Sequence, residues 1–394
     1  MGMEATCAEL DAVDDALCEL ARLDPAALCD RASIVRLEQT RARLEAVVVR
    51  AVAAFETSGA YGLDGARTAP AWIATKAHLP LAEAKRQTRL GRALRELRRT
   101  EASFVAGAIG TAQVAGLAAL LARAGTREAV VEHEELLVDK AEELRFFDFK
   151  RALDYFEQLA DPDGVEEEAE AVRDRREVHL SRSLGGVWLG KVTLDPIAGA
   201  VVAGELDRLE RAGFEADWAE AKRRLGREPH KDDLSRSPAQ RRADALVEMA
   251  RRSAALPGDA RYPAPLVSVL VDFPTMMGRV CELADGTVVT PGSLLPYLDE
   301  ALVERAVWKG RTRVEVGART RLFLGATRRA IELRDRVCQH PCCEEPAGRC
   351  EVDHIVPASD GGPTTQENGR LACQWHNRLR VRSPESWPRE ASPP

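Results

Sequence analysis

The sequence lacks the features that direct a chain to a membrane. Its first residues do not have the basic-then-apolar order of a signal peptide, and no uncharged apolar run approaches the length of a membrane span. We therefore expect a cytoplasmic protein with no membrane partner. Lysine is also scarce, because only eight of the 56 basic residues are lysine. Arginine is the better bidentate phosphate ligand, although genomic base composition explains the same bias.

A disulfide framework is missing as well. The chain has nine cysteines, an odd number, and five of them lie together near its C-terminal end. Such clustering favours thiolates that are kept reduced on a metal over paired disulfides. The net charge of −7 argues against a uniformly basic surface. A nucleic-acid partner would therefore have to meet a local basic patch.

The apolar pattern predicts a mainly α protein with a mixed α+β middle region. Apolar residues return at three- and four-residue steps through the first part of the chain, which is typical of helices. The pattern then changes, and β-branched or alternating segments predict strands at 187–194 and 265–272 and a hairpin over 279–290. Helices are predicted between these strands, over 197–210 and 239–255.

Changes in this pattern also suggest domain boundaries. An Asp-Pro-Asp-Gly turn at 161–164 beside an acidic run is the first candidate break. We expect a helical N-terminal domain, an α+β region, a C-terminal module and a tail, over 1–180, 181–325, 326–384 and 385–394. The middle region contains no catalytic constellation, because His179, His230 and Cys281 stand apart from other ligand-type residues.

A basic segment precedes the C-terminal cysteines. Residues 305–336 contain ten arginines or lysines and three acidic residues, so their local charge is 10 − 3 = +7 in a chain of net charge −7. This segment supplies the local basic surface that a polyanion requires. A solvated helical linker would show the same charge pattern, and the sequence alone does not decide between the two.

Metal-binding residue types concentrate in the last quarter of the chain. Five of the nine cysteines and three of the seven histidines lie between residues 338 and 376. Cys338 and Cys343 form one short-spaced pair, and Cys373 and His376 form another. Two such pairs suit a tetrahedral Cys₃His site with a structural Zn²⁺. The metal would substitute for the core that so short a segment cannot build.

Two further cysteines complicate the ligand set. Cys342 stands beside Cys343, so spacing alone leaves the second ligand ambiguous. Cys350 is either a packed thiol or an alternative ligand.

A second group of polar residues overlaps the same segment. We expect a strand over 350–357, a loop at 360–363 and a helix over 367–380. A strand, a loop and a helix that are fastened by zinc would bring Asp353 and Asn377 towards each other.

The chemistry of this second group differs from that of the zinc ligands. A carboxylate and an amide oxygen are hard ligands, which suit a partly hydrated Mg²⁺ or similar divalent cation. His354 points off the other side of the strand and could take a proton from a water molecule that attacks phosphorus. The alternative is that Asp353 and His354 only pair with backbone groups beside the zinc.

These residues resemble a known family, the zinc-stapled HNH endonucleases of ββα-metal fold. The resemblance rests on Cys338-x4-Cys343, Asp353-His354-Ile-Val-Pro, Gly361-Gly362-Pro-Thr, Asn368 and Cys373-x2-His376. The arrangement is particularly similar to actinobacterial proteins that join a helical domain of unknown function to a C-terminal HNH module. Ala71-Trp72 and the segment 187–211 look like parts of that helical domain.

The resemblance implies a role for each matching residue. Asp353 would be a ligand of the catalytic cation, His354 the general base, and Asn368 the residue that orients the loop and the base through hydrogen bonds. Asn377 stands at the last motif position, which is usually histidine, and Arg380 stands where the family often has a basic residue near the scissile phosphate. The zinc set that the resemblance favours is Cys338, Cys343, Cys373 and His376.

The function we expect is a metal-dependent DNA endonuclease with a one-metal HNH site of the HNN variant. The resemblance implies that hydrolysis leaves a 5′ phosphate, and we expect Arg378, Arg380 and Arg336 to hold the DNA backbone. Asn377 departs from the family pattern, but an amide oxygen can coordinate Mg²⁺. One alternative is a non-catalytic, zinc-containing nucleic-acid-binding protein, and another is a protein-interaction scaffold with a purely structural zinc. DNA is the expected partner, and a homodimer remains open.

Overall fold

The structure, a computed structural model, describes residues 3–255, 269–270, 281–283, 287–298, 323 and 325–382. The chain forms two compact units, Met1–Ala160 and Asp161–Pro394. Helices dominate both, and the short strands all belong to the second unit in the described part of the chain. The expected mainly α fold with a C-terminal ββα module is thus confirmed. None of the described helices is both long enough and apolar enough to cross a membrane.

The first unit is helical. Its α-helices are α1 (Met3–Ala21), α2 (Arg31–Ser58), α3 (Ala69–Lys76), α4 (Leu81–Glu96), α5 (Arg98–Ala106), α6 (Thr111–Leu121), α7 (Arg127–Glu132), α8 (Glu134–Glu143) and α9 (Phe146–Ala160). Apolar side chains from several of them, including Leu90, Phe104 and Phe149, form one buried core. Local sequence sets the ends of α2, because the Asp30 carboxylate caps its first turn and Gly59 ends it with a positive φ of 66°.

The second unit combines helices with small antiparallel sheets. Its elements are α10 (Pro162–Asp174), β1 (Glu177–Arg182), β2 (Trp188–Thr193), α11 (Pro196–Leu225), α12 (Pro238–Ala255), β3 (Val269–Leu270), β4 (Cys281–Leu283), β5 (Val288–Val289), α13 (Pro291–Leu298), α14 (Gly325–Asp335), β6 (Cys350–His354), β7 (Gly369–Cys373) and α15 (Gln374–Arg382). Strands β1 and β2 pair with each other, β4 pairs with β3 and β5, and β6 pairs with β7.

Most of the secondary structure predicted for the middle region is confirmed. Strand β2 occupies the segment predicted at 187–194, and β4 pairs with β5 in the predicted hairpin, whose residues 284–286 lie outside the described part. Of the strand predicted at 265–272, only Val269 and Leu270 are described. Helix α11 begins where predicted, because the Asp195 carboxylate accepts hydrogen bonds from two backbone N–H groups of its first turn.

One prediction near the site is wrong. Residues 367–380 were expected to be helical, but β7 occupies Gly369–Cys373 and the helix begins only at Gln374. All five residues of β7 are buried, and they pair antiparallel with β6 in a register that sets Cys373 opposite Cys350 and Gly369 opposite His354. Pairing with β6 and burial on both faces override the local helical tendency of this segment.

Helix α14 packs against β7 and holds the C-terminal module together. Two Nη atoms of Arg334 donate 2.6 Å hydrogen bonds to the carbonyl oxygens of Gln366 and Gly369. The Asp335 carboxylate accepts a 2.8 Å hydrogen bond from the backbone N–H of Leu371. These bonds tie the end of α14 to the strand that leads into α15. The module is therefore built on the helix that precedes its first cysteine.

The contact between β7 and α14 leaves no room for a side chain at Gly369. A Cβ at this position would lie 2.4 Å from Cδ1 of Ile331 and 2.8 Å from Cε1 of Phe323. We expect Gly369→Ala to lower the free energy of opening of the β7 amides by about 1–3 kcal/mol, measured by hydrogen exchange. Gly348→Ala is the matched control, because a Cβ there meets no atom within 4 Å. Equal protection of β7 in both variants would contradict this packing.

Candidate functional site

Four ligand-type side chains converge at the end of the small β6–β7 sheet. The ligand atoms of Cys338, Cys343, Cys373 and His376 all lie within 4.8 Å of one another. The Cys343 and Cys373 sulfurs are 3.9 Å apart, and Nδ1 of His376 lies 3.5 Å from the Cys338 sulfur and 3.2 Å from the Cys373 sulfur. Around a tetrahedral zinc, two sulfurs are about 3.8 Å apart and a sulfur and a nitrogen about 3.5 Å apart. The donor set and its spacing therefore fit Zn²⁺.

Local structure brings these four side chains together. Cys338 follows α14, and its backbone N–H donates to the Glu345 carbonyl at 2.8 Å, which closes the turn that carries Cys343. Cys373 ends β7, and His376 lies in the first turn of α15 three residues later. A three-residue separation at a helix start places both side chains on the same side. The backbone N–H of Cys373 also donates to the Cys338 sulfur at 3.3 Å.

The structure distinguishes the two cysteines that the sequence left ambiguous. Cys342 is exposed and does not belong to the ligand group. Cys350 is buried beside the group, and a hydrogen bond between the two thiols lowers the pKa of Cys338 and raises the pKa of Cys350. Cys350 is therefore a packed thiol beside the ligand group and does not belong to it.

The electrostatics of the cluster favour a bound cation. Burial raises the pKa of the Cys343 thiol, and the neighbouring sulfurs of Cys338 and Cys373 add to this effect. Three thiolates in one place repel one another, and a divalent cation stabilises all of them at once. The ring of His340 stacks on that of His376, with centroids 3.8 Å apart and an interplanar angle of 8°. This contact holds the imidazole in the orientation that turns Nδ1 towards the sulfurs.

The hard-ligand residues lie along β6. Asp353 and Glu351 are two residues apart in the strand, so their side chains point to the same face. Asp353 lies opposite Arg370 in β7, and its Oδ2 is 3.8 Å from the Arg370 Nε atom. Asn377, in the first turns of α15, donates a 2.6 Å hydrogen bond through Nδ2 to Oε2 of Glu351. The structure thus brings Asn377 to the face of β6 that carries Asp353.

His354 lies at the end of β6, on the opposite face from Asp353. Its Nε2 is 3.0 Å from the Thr364 hydroxyl, and its ring contacts that of Phe323 with centroids 4.4 Å apart. The ring is half-buried, so it is held in place but still reaches solvent. Thr364 belongs to the loop that follows Gly361-Gly362.

Asn368 fixes that loop. Its Oδ1 accepts a 2.8 Å hydrogen bond from the backbone N–H of Val356, and its Nδ2 donates to the carbonyl oxygens of Val356 and Pro363 at 3.0 and 2.7 Å. The two glycines are required by the same loop, because Gly361 has a φ of +82° and a Cβ at Gly362 would lie 1.9 Å from the Val356 carbonyl oxygen. The loop that carries Thr364 towards His354 is therefore held by one buried amide.

Sequence reasoning missed Glu351 and Arg370, and it included Thr364 only as the last residue of the Gly361-Gly362-Pro-Thr motif, without a role. Alternation along the predicted strand would have found Glu351, because it lies two residues before Asp353. Arg370 lies in the strand that was predicted as helix, and no local signal pairs it with Asp353. The contact of Thr364 with His354 depends on the folded conformation of the loop that Asn368 holds, and ten residues separate the two in the sequence.

The arginines proposed for nucleic-acid binding have different surroundings. Arg378 is exposed on α15, whereas Arg336 forms a 2.6 Å ion pair with the buried Glu282. Arg380 also belongs to α15, but its side chain lies outside the described part. Of the basic segment 305–336, the part up to residue 322 is not described. The role of these residues in binding DNA stays a prediction.

Comparison with protein families identifies both parts of the chain. Residues 31–335, more than three quarters of the sequence, match the model of a domain of unknown function, DUF222. The chain belongs to the DUF222 family. Residues 338–378 match the HNH endonuclease model, so the DUF222 region is followed directly by an HNH domain. Comparisons with curated proteins and with solved structures find no match. The resemblance inferred from the sequence is confirmed.

The HNH match contains most of the residues described above. The zinc-type ligands, Asp353, His354, Asn368 and Asn377 all lie within 338–378, whereas Arg336 and Arg380 lie just outside it. Nuclease or nucleic-acid-related chemistry at a metal site is therefore supported for this part of the DUF222 protein.

The ligand group predicts opposite results for two neighbouring cysteines. We expect Cys338→Ser to lose most of the bound zinc, because Cys338 is a buried member of the four-ligand group. Cys342→Ser is expected to keep one zinc per chain, since its thiol is exposed and outside the group. Zinc content can be measured by mass spectrometry of the purified protein. Equal zinc loss in both variants would refute the ligand assignment.

Proposed function

We propose that the chain is a cytoplasmic, metal-dependent DNA endonuclease of the HNN variant of the HNH class. The observation that carries this proposal is the arrangement around β6, with hard oxygen donors on one face and a held imidazole at the strand end. The HNH match over 338–378 supports the reaction class. Thiols that serve as reduced metal ligands support a reducing compartment.

In this mechanism Asp353 and Asn377 would hold a divalent cation through a carboxylate and an amide oxygen. These donors fit Mg²⁺ or a similar hard cation and do not suit a zinc cage. When bound, such a cation stabilises negative charge on the phosphate and on the leaving oxygen. The ion pair of Asp353 with Arg370 keeps the carboxylate on that face of the strand.

His354 would act as the general base. The 3.0 Å contact between Nε2 and the Thr364 hydroxyl would hold the imidazole ring while it takes the proton from the attacking water. The new P–O bond forms as the bond between phosphorus and the 3′ oxygen breaks, so the product carries a 5′ phosphate and the 3′ oxygen takes a proton from solvent. Asn368 acts indirectly, because it holds the loop that supplies Thr364.

A non-catalytic, zinc-containing nucleic-acid-binding protein is the second candidate. Its support is the group of Cys338, Cys343, Cys373 and His376, which could hold a structural zinc without any catalytic cation. An amide at position 377 fits this candidate as well as it fits the first. Cleavage separates the two, since only the nuclease hydrolyses DNA.

The first test is His354→Ala in an assay of plasmid nicking with Mg²⁺ or Mn²⁺. We expect the nicking rate to fall by about 10²–10⁴-fold because the proton acceptor is lost, while DNA binding and zinc content are retained. His179→Ala is the control, because this exposed histidine pairs with Glu177 on the β1–β2 hairpin. DNA binding without cleavage by the unmodified protein in Mg²⁺, Mn²⁺ or Ni²⁺ would refute the nuclease and favour the second candidate.

The second test concerns Arg378, which is exposed on α15. We expect Arg378→Ala to weaken DNA binding and to reduce the slope of log affinity against log salt by about one, because one phosphate contact is lost. Arg349→Ala is the matched control, since Nη atoms of Arg349 lie 3.4 Å from Glu345 and 3.8 Å from Asp207. If both variants show the same slope, Arg378 does not contact the DNA backbone.

A further inference from the structure

We propose that Glu351 positions Asn377 by fixing which end of its amide faces the catalytic cation. The proposal rests on the proposed nuclease function and concerns a residue to which neither family match assigns a role. Asparagine has two amide orientations of nearly equal shape, one that presents Oδ1 and one that presents the NH₂ group. Only the first can coordinate a cation. The function of an asparagine at this position therefore depends on what selects its orientation.

The contact with Glu351 makes that selection. Nδ2 of Asn377 lies 2.6 Å from Oε2 of Glu351. An ionised carboxylate can only accept hydrogen bonds, so the amide nitrogen has to face it, and the reversed amide would set two oxygens against each other. With Nδ2 engaged by Glu351, Oδ1 is the amide atom that remains to act as a ligand.

The geometry of strand β6 places the contact between Glu351 and Asn377 on the face that carries Asp353. Glu351 and Asp353 project from the same face of β6, because they are two residues apart in a regular strand. Their cross-strand neighbours in β7 are Ala372 and Arg370, both buried, so this part of the sheet is well supported. The carboxylate that orients the amide and the carboxylate that would bind the cation therefore belong to one rigid element.

The backbone of Asn377 is restrained independently. Its preceding residue, His376, belongs to the four-ligand zinc group, and α15 begins directly after the last cysteine of that group. Zinc would fix where the Cα of Asn377 lies, whereas Glu351 fixes how its side chain is turned. Outer contacts of this kind typically change metal affinity or activity by about 10–100-fold when they are removed.

The test compares Mn²⁺ binding by the full chain, measured from the electron paramagnetic resonance signal of free Mn²⁺. We expect Glu351→Gln to raise the half-saturating Mn²⁺ concentration by about 10–100-fold, because glutamine can donate to Oδ1 and release the amide orientation. The double variant Glu351→Gln/Asn377→Asp should regain most of this loss. In it the glutamine NH₂ donates to one aspartate oxygen, and the other oxygen faces the cation.

The single variant Asn377→Asp separates orientation from charge. It sets a second carboxylate against Glu351 and removes the donor, so it should bind Mn²⁺ more weakly than the double variant. If negative charge alone decided the affinity for Mn²⁺, Asn377→Asp would bind Mn²⁺ most tightly of these variants. That result would overturn the proposal. Glu367→Gln is the control for loss of one negative charge, because Glu367 is an exposed residue of the same module.

The outcomes also distinguish this proposal from the proposed function. If Asn377→Ala loses Mn²⁺ binding but Glu351→Gln binds and cleaves as the unmodified protein does, the cation site stands and the role of Glu351 fails. If Asn377→Ala and Asp353→Ala both bind Mn²⁺ as the unmodified protein does, the cation site itself fails. Zinc content should stay unchanged in the Glu351 and Asn377 variants, since neither residue belongs to the zinc group.

Discussion

The C-terminal module depends on one constraint, the convergence of four ligand atoms from two chain segments. Among the residues that the structure describes, its apolar core consists mainly of Phe323, Ile331, Leu371 and the buried cysteines. A cluster of this size contributes little against the conformational entropy that is lost when the loops between its members become ordered. A cation bound by three thiolates and an imidazole would supply the missing free energy. The end of β7 and the start of α15 carry two of its four ligand-type residues, and Asn377 directly follows the second of them.

Much of this module could be predicted because its signals are local. The two ligand pairs stand at fixed spacings, and the strand that carries Asp353 and His354 shows β-branched residues. The β7 segment could not be predicted from its own residues, because five residues are too few to separate a buried strand from the first turns of a helix. Its structure is decided by pairing with β6, which lies outside any local window.

Long-range polar contacts could not be predicted from the sequence either. Nothing near Arg336 indicates that its partner is Glu282, and nothing near Arg370 indicates Asp353. The sequence also could not decide whether Cys342 or Cys343 is the ligand. The two residues are adjacent, and only the direction of their side chains in the folded turn separates them. The charge count identified a basic segment but could not predict which of its side chains are free to bind DNA. Arg334, for example, belongs to this segment but donates to backbone carbonyl oxygens of the loop and β7. Arginine density marks such a segment without saying which side chains face outward.

The ion pair of Arg336 with Glu282 bears on how the two parts of the chain evolve. Glu282 belongs to the DUF222 region, and Arg336 lies between the end of the DUF222 match at residue 335 and the start of the HNH match at residue 338. Glu282 is 1% exposed and the Arg336 side chain 17%, so losing either partner removes a favourable interaction from a largely buried charge and destabilises the protein. A recombination event with its junction before residue 336 would separate this pair, whereas a junction after residue 336 would keep it. The pair thus ties Arg336 to the DUF222 region, although the residue lies just outside that match.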